Sequence, residues 1–308
     1  MSSFLPSIVS SVGQHFVVTH HAALSTGIQV EYTLHGNPLA PHKLILVCGL
    51  AMPKEAFHPI VHAITTKAFD HVQILAFDNR GVGGSDAPWT GYSTHLLALD
   101  ALALMDHLKW QTAHVFGTSL GGMIAMEMAH AAPSRVLSLS VAVTTAGYLQ
   151  GTTSVMENLR CLAGVVAQML MPKSGEERIR SLLRQLYPDS CLQDHSDLFF
   201  QYHAKRGGNA VAPLQGFIGH QLAVLCHNMS LDRLHAIRDA GFPILVVGAA
   251  QDVMMHPSHS HWLARAFEAP HTRFIQFQDA GHGVYTQCAD ALTNQLLMQF
   301  QLLPARSL

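Results

Sequence analysis

The feature that most constrains how this chain folds is a recurrence of short, almost unbroken apolar runs. Each ends in a polar or glycine-bearing turn and is followed by a longer stretch of helical period. Residues 43–48, 71–77, 114–116 and 136–143 are such runs in the first half, and 242–248 and 272–277 return in the last quarter. A strand with one wet face alternates polar and apolar residues, so runs without alternation belong to strands covered on both faces, as in parallel sheets. Between them, Leu96, Leu99, Ala103, Leu104 and Leu108 recur at helical spacing, and 120–132 is apolar on nearly every face. Such a segment is expected to be a central buried helix. Strand, helix, strand, helix predicts an α/β fold with a doubly wound, mostly parallel sheet.

The alternation lapses from 147 to 238. Leu159, Leu162, Val166, Met169 and Leu170 fall on one helical face, Ile179, Leu182, Leu183 and Leu186 on another, and 217–226 is helical in pattern too. This stretch is expected to be a helical cap, inserted into a sheet domain made of 1–146 and 239–308. It should lie over the C-terminal ends of the strands. After it come a strand at 242–248, a helix at 258–268, a strand at 272–277 and one closing helix over 284–302, with Leu292, Leu296 and Phe300 facing the sheet.

Composition narrows the functional classes. With 49% hydrophobic and 12% charged residues in 308, the chain can bury a large core and does not read as disordered. A formal charge of −2 gives no electrostatic grip on nucleic acid. No apolar run reaches about 18 residues, so no membrane span is expected. The five cysteines, Cys48, Cys161, Cys191, Cys226 and Cys288, are scattered and odd in number. Reduced thiols and a cytoplasmic location are the expectation. Residues 1–16 carry no Lys or Arg and make a poor signal peptide, and the terminal Arg-Ser-Leu is not a peroxisomal address. The 22 histidines should swing the charge strongly positive below about pH 6.5.

Three turns carry chemistry. Gly117-Thr118-Ser119-Leu120-Gly121 joins a strand to the buried helix. A serine there can project above a sheet only on a sharp turn, whose flanking glycines remove clashing side chains, and the helix behind it aims N–H groups at developing negative charge. A serine nucleophile needs a base, and the base an orienting acid. His282, in Asp279-Ala280-Gly281-His282-Gly283, follows the last strand, and Asp252, in Gly248-Ala249-Ala250-Gln251-Asp252, follows the one before. Both turns lie where α/β sheets place their sites. Asp279 is the rival acid, three residues before His282. No Asp or Glu follows the run ending at Val143, where Thr144 and Thr145 stand. Two backbone N–H groups are needed for the oxyanion. Leu120 is one, and Leu50 the other, with Ala51 as fallback; Cys48 reads as a small buried residue.

Other patterns read as structure. Asp78-Asn79-Arg80-Gly81-Val82-Gly83-Gly84-Ser85 is not a G-x-G-x-x-G phosphate loop. It is expected to be a turn in which Asp78 and Arg80 make fixed hydrogen bonds. His256, His259 and His261 have no ligand frame around them, so they are expected to be solvated histidines, with no metal and no cofactor.

The stretches Leu46–Leu50, Phe77–Asp86, His114–Met123, Gly248–Asp252 and Asp279–Gly283 together resemble the α/β-hydrolase fold family, in its branch of esterase- and lipase-like enzymes with a helical cap. The resemblance spans nearly the whole chain except the cap. It departs at Cys48, where many relatives have His; the donor in that loop is backbone. It implies acyl transfer to water through an acyl-enzyme and does not fix the substrate; an ester, thioester or lactone is the leading expectation, and the Leu, Met and Phe of the cap suit a small, hydrophobic acyl substrate. The same triad also serves cofactor-free peroxidases and carbon–carbon hydrolases, and some relatives use the pocket as a receptor. A serine at 119 argues against relatives with an Asp nucleophile.

Overall fold

The apolar runs become the strands of one sheet. A computed structural model describes residues 4–147, 150–151, 175–205 and 212–303. In chain order these form α1 (Phe4–Ser11), β1 (His20–Ala23), β2 (Gln29–His35), β3 (His42–Val47), α2 (His58–Ala68), β4 (Val72–Phe77), α3 (Thr94–His107), β5 (Ala113–Thr118), α4 (Leu120–Ala131) and β6 (Val136–Ala142). There follow α5 (Gly175–Leu186), α6 (Asp189–Lys205), α7 (Leu214–Cys226), α8 (Leu231–Asp239), β7 (Ile244–Ala249), α9 (Ser258–Ala266), β8 (Thr272–Phe277), α10 (Val284–Gln287) and α11 (Ala289–Gln299).

The eight strands lie in the order β1-β2-β4-β3-β5-β6-β7-β8. From β4 to β8 every pairing is parallel; β2 runs antiparallel to β4 and β1 to β2. The six expected strands are all present. The two at the β1 edge were not legible, because β1 is four residues of His and Ala, mostly exposed, and β2 interleaves Gln, Glu and His with its apolar residues.

The sheet divides two cores. Along β3, Ile45 and Val47 point to one side, where α3, α4, α8 and α9 pack; Leu44, Leu46 and Cys48 point to the other, where α1, α2, α10 and α11 pack. Fully burying each such aliphatic side chain contributes about 1.5–3 kcal/mol. The expected single helix over 284–302 is two, α10 and α11, broken at Cys288 (φ −116°, ψ 26°). The two pieces still bring Leu292, Leu296 and Phe300 to the sheet, as the spacing required.

Between β6 and β7 the described elements are helices joined by turns and loops, with one bridge, Gly147 to Asn228. The helical face of Leu159, Leu162, Val166, Met169 and Leu170 lies outside the described residues. Helices α5 and α6 share a small core of their own, built from Ile179, Leu183, Leu186, Tyr187, Cys191 and Phe199. Helix α8 instead sends Leu234 and Ile237 into the sheet core beside α4, so it packs with the sheet domain although it precedes residue 239. Among the described residues no helix is long and apolar enough to cross a membrane.

Candidate active site

The turn between β5 and α4 is built almost wholly from main chain. Ser119 adopts φ 56°, ψ −125°, a left-handed φ that side chains rarely take. Its N–H donates to Ala142 O of β6 at 2.9 Å, and its carbonyl accepts from Gly122 N (2.9 Å), Met123 N (3.3 Å) and Thr144 Oγ1 (2.7 Å). The two motif glycines allow the turn by close approach. A Cβ on Gly117 would lie 2.1 Å from Gly121 O, and one on Gly121 would lie 2.0 Å from Val47 O. Ser119 itself remains partly exposed at the C-terminal end of the parallel strands.

Two strands along, Asp252 follows β7 and is 6% exposed; His282 follows β8 and is 5% exposed. The carboxylate divides its two oxygens. Oδ1 accepts from Met254 N and Met255 N, both at 2.8 Å, and Oδ2 lies 2.8 Å from His282 Nδ1. A carboxylate oxygen only accepts, so Nδ1 carries a hydrogen, and in the neutral ring Nε2 is the nitrogen open to accept one. The rival Asp279 is exposed, and its backbone carbonyl rather than its carboxylate is engaged, by Gln287 Nε2 at 2.5 Å. The same Gln287 accepts from Gly281 N at 3.1 Å, while Gly283 N donates to Leu186 O of α5 at 2.7 Å. The histidine turn is thus held from below by its own helix and from the side by α5.

The loop after β3 borders the serine. A Cβ on Gly49 would lie 3.4 Å from Ser119 Cβ. Its amides are allotted unequally. Gly49 N donates to Met52 Sδ at 3.4 Å, and Ala51 N donates to His220 Nδ1 of α7 at 3.1 Å. Among the described residues Leu50 N–H has no acceptor, and Leu120 N–H, in the first turn of α4, is one of the amides a helix leaves unpaired. The fallback donor Ala51 is therefore already engaged.

Side chains from elsewhere pin the same loop. Asn79 Nδ2 donates to Cys48 O at 3.0 Å. Lys54, 1% exposed, closes the loop's far end: its N–H reaches Asp78 Oδ1 at 2.7 Å, and its ammonium reaches Asp78 Oδ2 and Glu55, each at 2.9 Å, as well as Glu31. Arg80 forms a two-pronged pair with Asp100, at 2.6 and 2.7 Å, and donates to Gly91 O at 2.8 Å. Asp78 and Arg80 thus make the fixed bonds expected of a structural turn. The expectation of solvated histidines holds for exposed His261 but not for His259, which is buried against Thr145 Oγ1 at 2.8 Å. The cause is that the N-terminal half of α9 turns inward onto the segment after β6. Burial holds the His259 pKa down at about 4. Among the described residues no group of three His, Cys, Asp or Glu is set to hold a metal ion.

Sequence reasoning singled out Ser119, Asp252 and His282, which the structure places at the C-terminal ends of three strands with Asp252 bonded to His282, and missed the residues that hold their surroundings, Lys54, Asn79, Leu186 and His220. Only His220 carried a signal: it shares one helical face with Gly216 and Gly219, an arrangement suited to close approach.

A fold of this topology, with a serine on a strained strand-to-helix turn, defines the α/β-hydrolase class, and residues 43–170 match the alpha/beta hydrolase fold family. The chain has the α/β-hydrolase fold. It is 26% identical over 261 residues to the BpoC protein of Mycobacterium tuberculosis, named for a non-heme bromoperoxidase; the match covers 83% of this chain and 93% of that one. In fold it is similar to the enol-lactonase of Burkholderia xenovorans LB400 (TM-score 0.74, 22% identity, 92% and 100% of the two chains). It is also similar to a thermophilic esterase of Thermogutta terrifontis (TM-score 0.72, 19% identity, 93% and 99%).

Proposed function

We propose that this protein is a serine hydrolase that cleaves small, hydrophobic carboxylic esters, thioesters or lactones through an acyl-enzyme. The observation that carries the reading is the Asp252–His282 pair, with one carboxylate oxygen locked by two amides and the other on Nδ1, at the strand ends that also bear the Ser119 turn. In this reading the bare Nε2 of His282 takes the Ser119 proton as the hydroxyl oxygen attacks the acyl carbon. Asp252 keeps the imidazole in the required tautomer and favours the imidazolium that forms. The carbonyl oxygen gains negative charge and is received by the N–H groups of Leu50 and Leu120. His282 returns the proton to the departing alcohol or thiol, and water repeats the sequence to release the acid. Every step uses groups of this chain.

Helices α5, α6 and α7 would then serve as the cap. The support is where they touch: α5 at Gly283 beside the base, α7 at Ala51 beside the oxyanion loop. A panel of p-nitrophenyl esters and acyl-CoA thioesters, with Ser119→Ala as the blank, tests the reading. Serine-dependent turnover of at least one member is expected; saturable binding with no turnover would favour a receptor. The likeness to BpoC favours one second reading, peroxidase chemistry at the same serine. Bromination with peroxide and bromide that exceeds ester hydrolysis, and vanishes in Ser119→Ala, would replace the first reading with the second.

A further inference from the structure

We infer that His220 is a positioning residue: from α7 it holds the loop after β3 in the form that receives the oxyanion, and so couples that loop to the cap. The inference rests on the hydrolase reading above. His220 has no exposed surface, and both of its ring nitrogens are used. Nδ1 accepts from Ala51 N at 3.1 Å, and Nε2 lies 2.8 Å from Arg80 O. A carbonyl can only accept, so Nε2 carries the hydrogen, and Nδ1 is free to accept the amide. One neutral tautomer satisfies both bonds. It ties together the ends of two neighbouring strands, β3 and β4, through a residue 169 positions away in sequence.

Two further observations give this bond its leverage. Ala51 sits at φ 50°, a left-handed conformation that a non-glycine residue keeps only when its surroundings hold it. The bond from its N–H is the hold seen there, and it also withdraws this amide from the pocket, leaving its neighbour Leu50 as the donor. The seat of α7 is set by this same face. Gly216 abuts Gly81, where a Cβ would lie 2.0 Å from Gly81 O, and Gly219 abuts the Tyr92 ring, where a Cβ would lie 2.3 Å away. The opposite face, with Leu214, Ile218, Leu222 and Leu225, is exposed. The helix is thus placed by close contact and by the two bonds of His220, with only Ala223 and Val224 reaching the sheet core.

The two nitrogens can be replaced one at a time. In His220→Asn the side-chain amide oxygen takes the place of Nδ1 and still accepts from Ala51 N–H. In His220→Gln the longer amide takes the place of Nε2, still donates to Arg80 O, and leaves Ala51 unheld. Steady-state hydrolysis of a p-nitrophenyl ester by the full chain should show His220→Asn within about threefold of wild type in kcat. His220→Gln and His220→Ala should lose about tenfold or more in kcat, with KM changed less, since a loosened donor is felt in the transition state. Thermal midpoints of the Asn and Gln variants should be alike. The inference is overturned if Gln matches wild type, if Asn and Gln fall together, or if the losses follow the thermal midpoint. Should His220→Ala fail to fold, the Asn and Gln pair decides alone. If wild type hydrolyses nothing and Ser119 takes no fluorophosphonate label, the hydrolase reading has failed. The latch is then read by hydrogen exchange at Ala51 N–H: protection in wild type and Asn with loss in Gln supports it, and equal exchange in all three refutes it.

Discussion

The turn after β5 and the loop after β3 lie side by side at the end of the sheet, yet they are held by opposite means. The turn carrying Ser119 is fixed by main-chain bonds to Ala142, Gly122 and Met123 and by two glycines that let strands and helix touch. Apart from the Thr144 hydroxyl it needs nothing from a distant side chain. The loop carrying Leu50 is fixed by side chains brought from other elements: Asn79 on Cys48 O, Asp78 on Lys54, His220 on Ala51 N. The histidine turn after β8 is intermediate, with Gln287 from its own helix and Leu186 O from α5. The Ser119 turn is rigid by construction, whereas the β3 loop takes its geometry from the turn after β4 and from α7.

The largest separation of the regions should come at the acid. Asp252→Asn should lower kcat by about 10²–10⁴-fold by leaving His282 in the wrong tautomer, without disturbing the Ser119 turn. Asp279→Asn should stay within a few-fold, because its exposed carboxylate lies off the Asp252–His282 axis. Stopped-flow and steady-state rates of the two variants check this, and a reversal of their ranks would mean that the wrong carboxylate has been paired with His282.

Next in size is the turn itself. In Gly121→Ala the new methyl, at the start of α4, meets Val47 O of the central strand β3 at 2.0 Å, and that main chain cannot yield cheaply. Overpacking of this kind costs about 1–3 kcal/mol. Urea unfolding should show that loss together with loss of turnover. A variant of wild-type stability would show that the turn is less tightly built than the sheet around it.

Acidification should act on the side-chain-held regions. His220, His227 and His259 are buried where the helices between β6 and β7 meet the sheet domain, and burial pushes each down to about 4. The unfolded chain takes up protons near 6.5 and the folded chain does not until lower pH. Stability from these residues is therefore complete above about pH 6.5 and is lost as pH falls toward 4. Each should remove roughly 1–2 kcal/mol between pH 7 and pH 5. Urea midpoints at the two values measure the total; midpoints that do not fall would mean these histidines carry their protons in the folded state.

The same contrast explains what could be read without coordinates. The Ser119 turn is contiguous and glycine-spaced, so its backbone needs are written in five adjacent residues, and Asp252 and His282 are legible because each ends an apolar strand. The six strands β3 to β8 were legible for the same reason, local composition. The β1–β2 edge was not, being short and polar, and neither was the break at Cys288, which interrupts an otherwise unbroken helical pattern. The holds on the β3 loop were invisible because their partners are far apart in sequence: 31 positions for Asn79 with Cys48 and 169 for His220 with Ala51. Among 22 histidines only the helical spacing of His220 with Gly216 and Gly219 sets apart the one that caps an amide from those in water.

The central claim is that Ser119 is the nucleophile, presented by a turn held almost wholly by main chain and served by His282, whose turn is held both by its own helix and by α5. Intact-mass spectrometry after reaction with a fluorophosphonate tests it directly. Wild type should gain one adduct, mapped to the peptide bearing Ser119; Asp252→Asn should label far more slowly, and Ser119→Ala not at all, with hydrolysis down by about 10³-fold or more. An adduct on another residue, or turnover by Ser119→Ala within tenfold of wild type, would contradict the account.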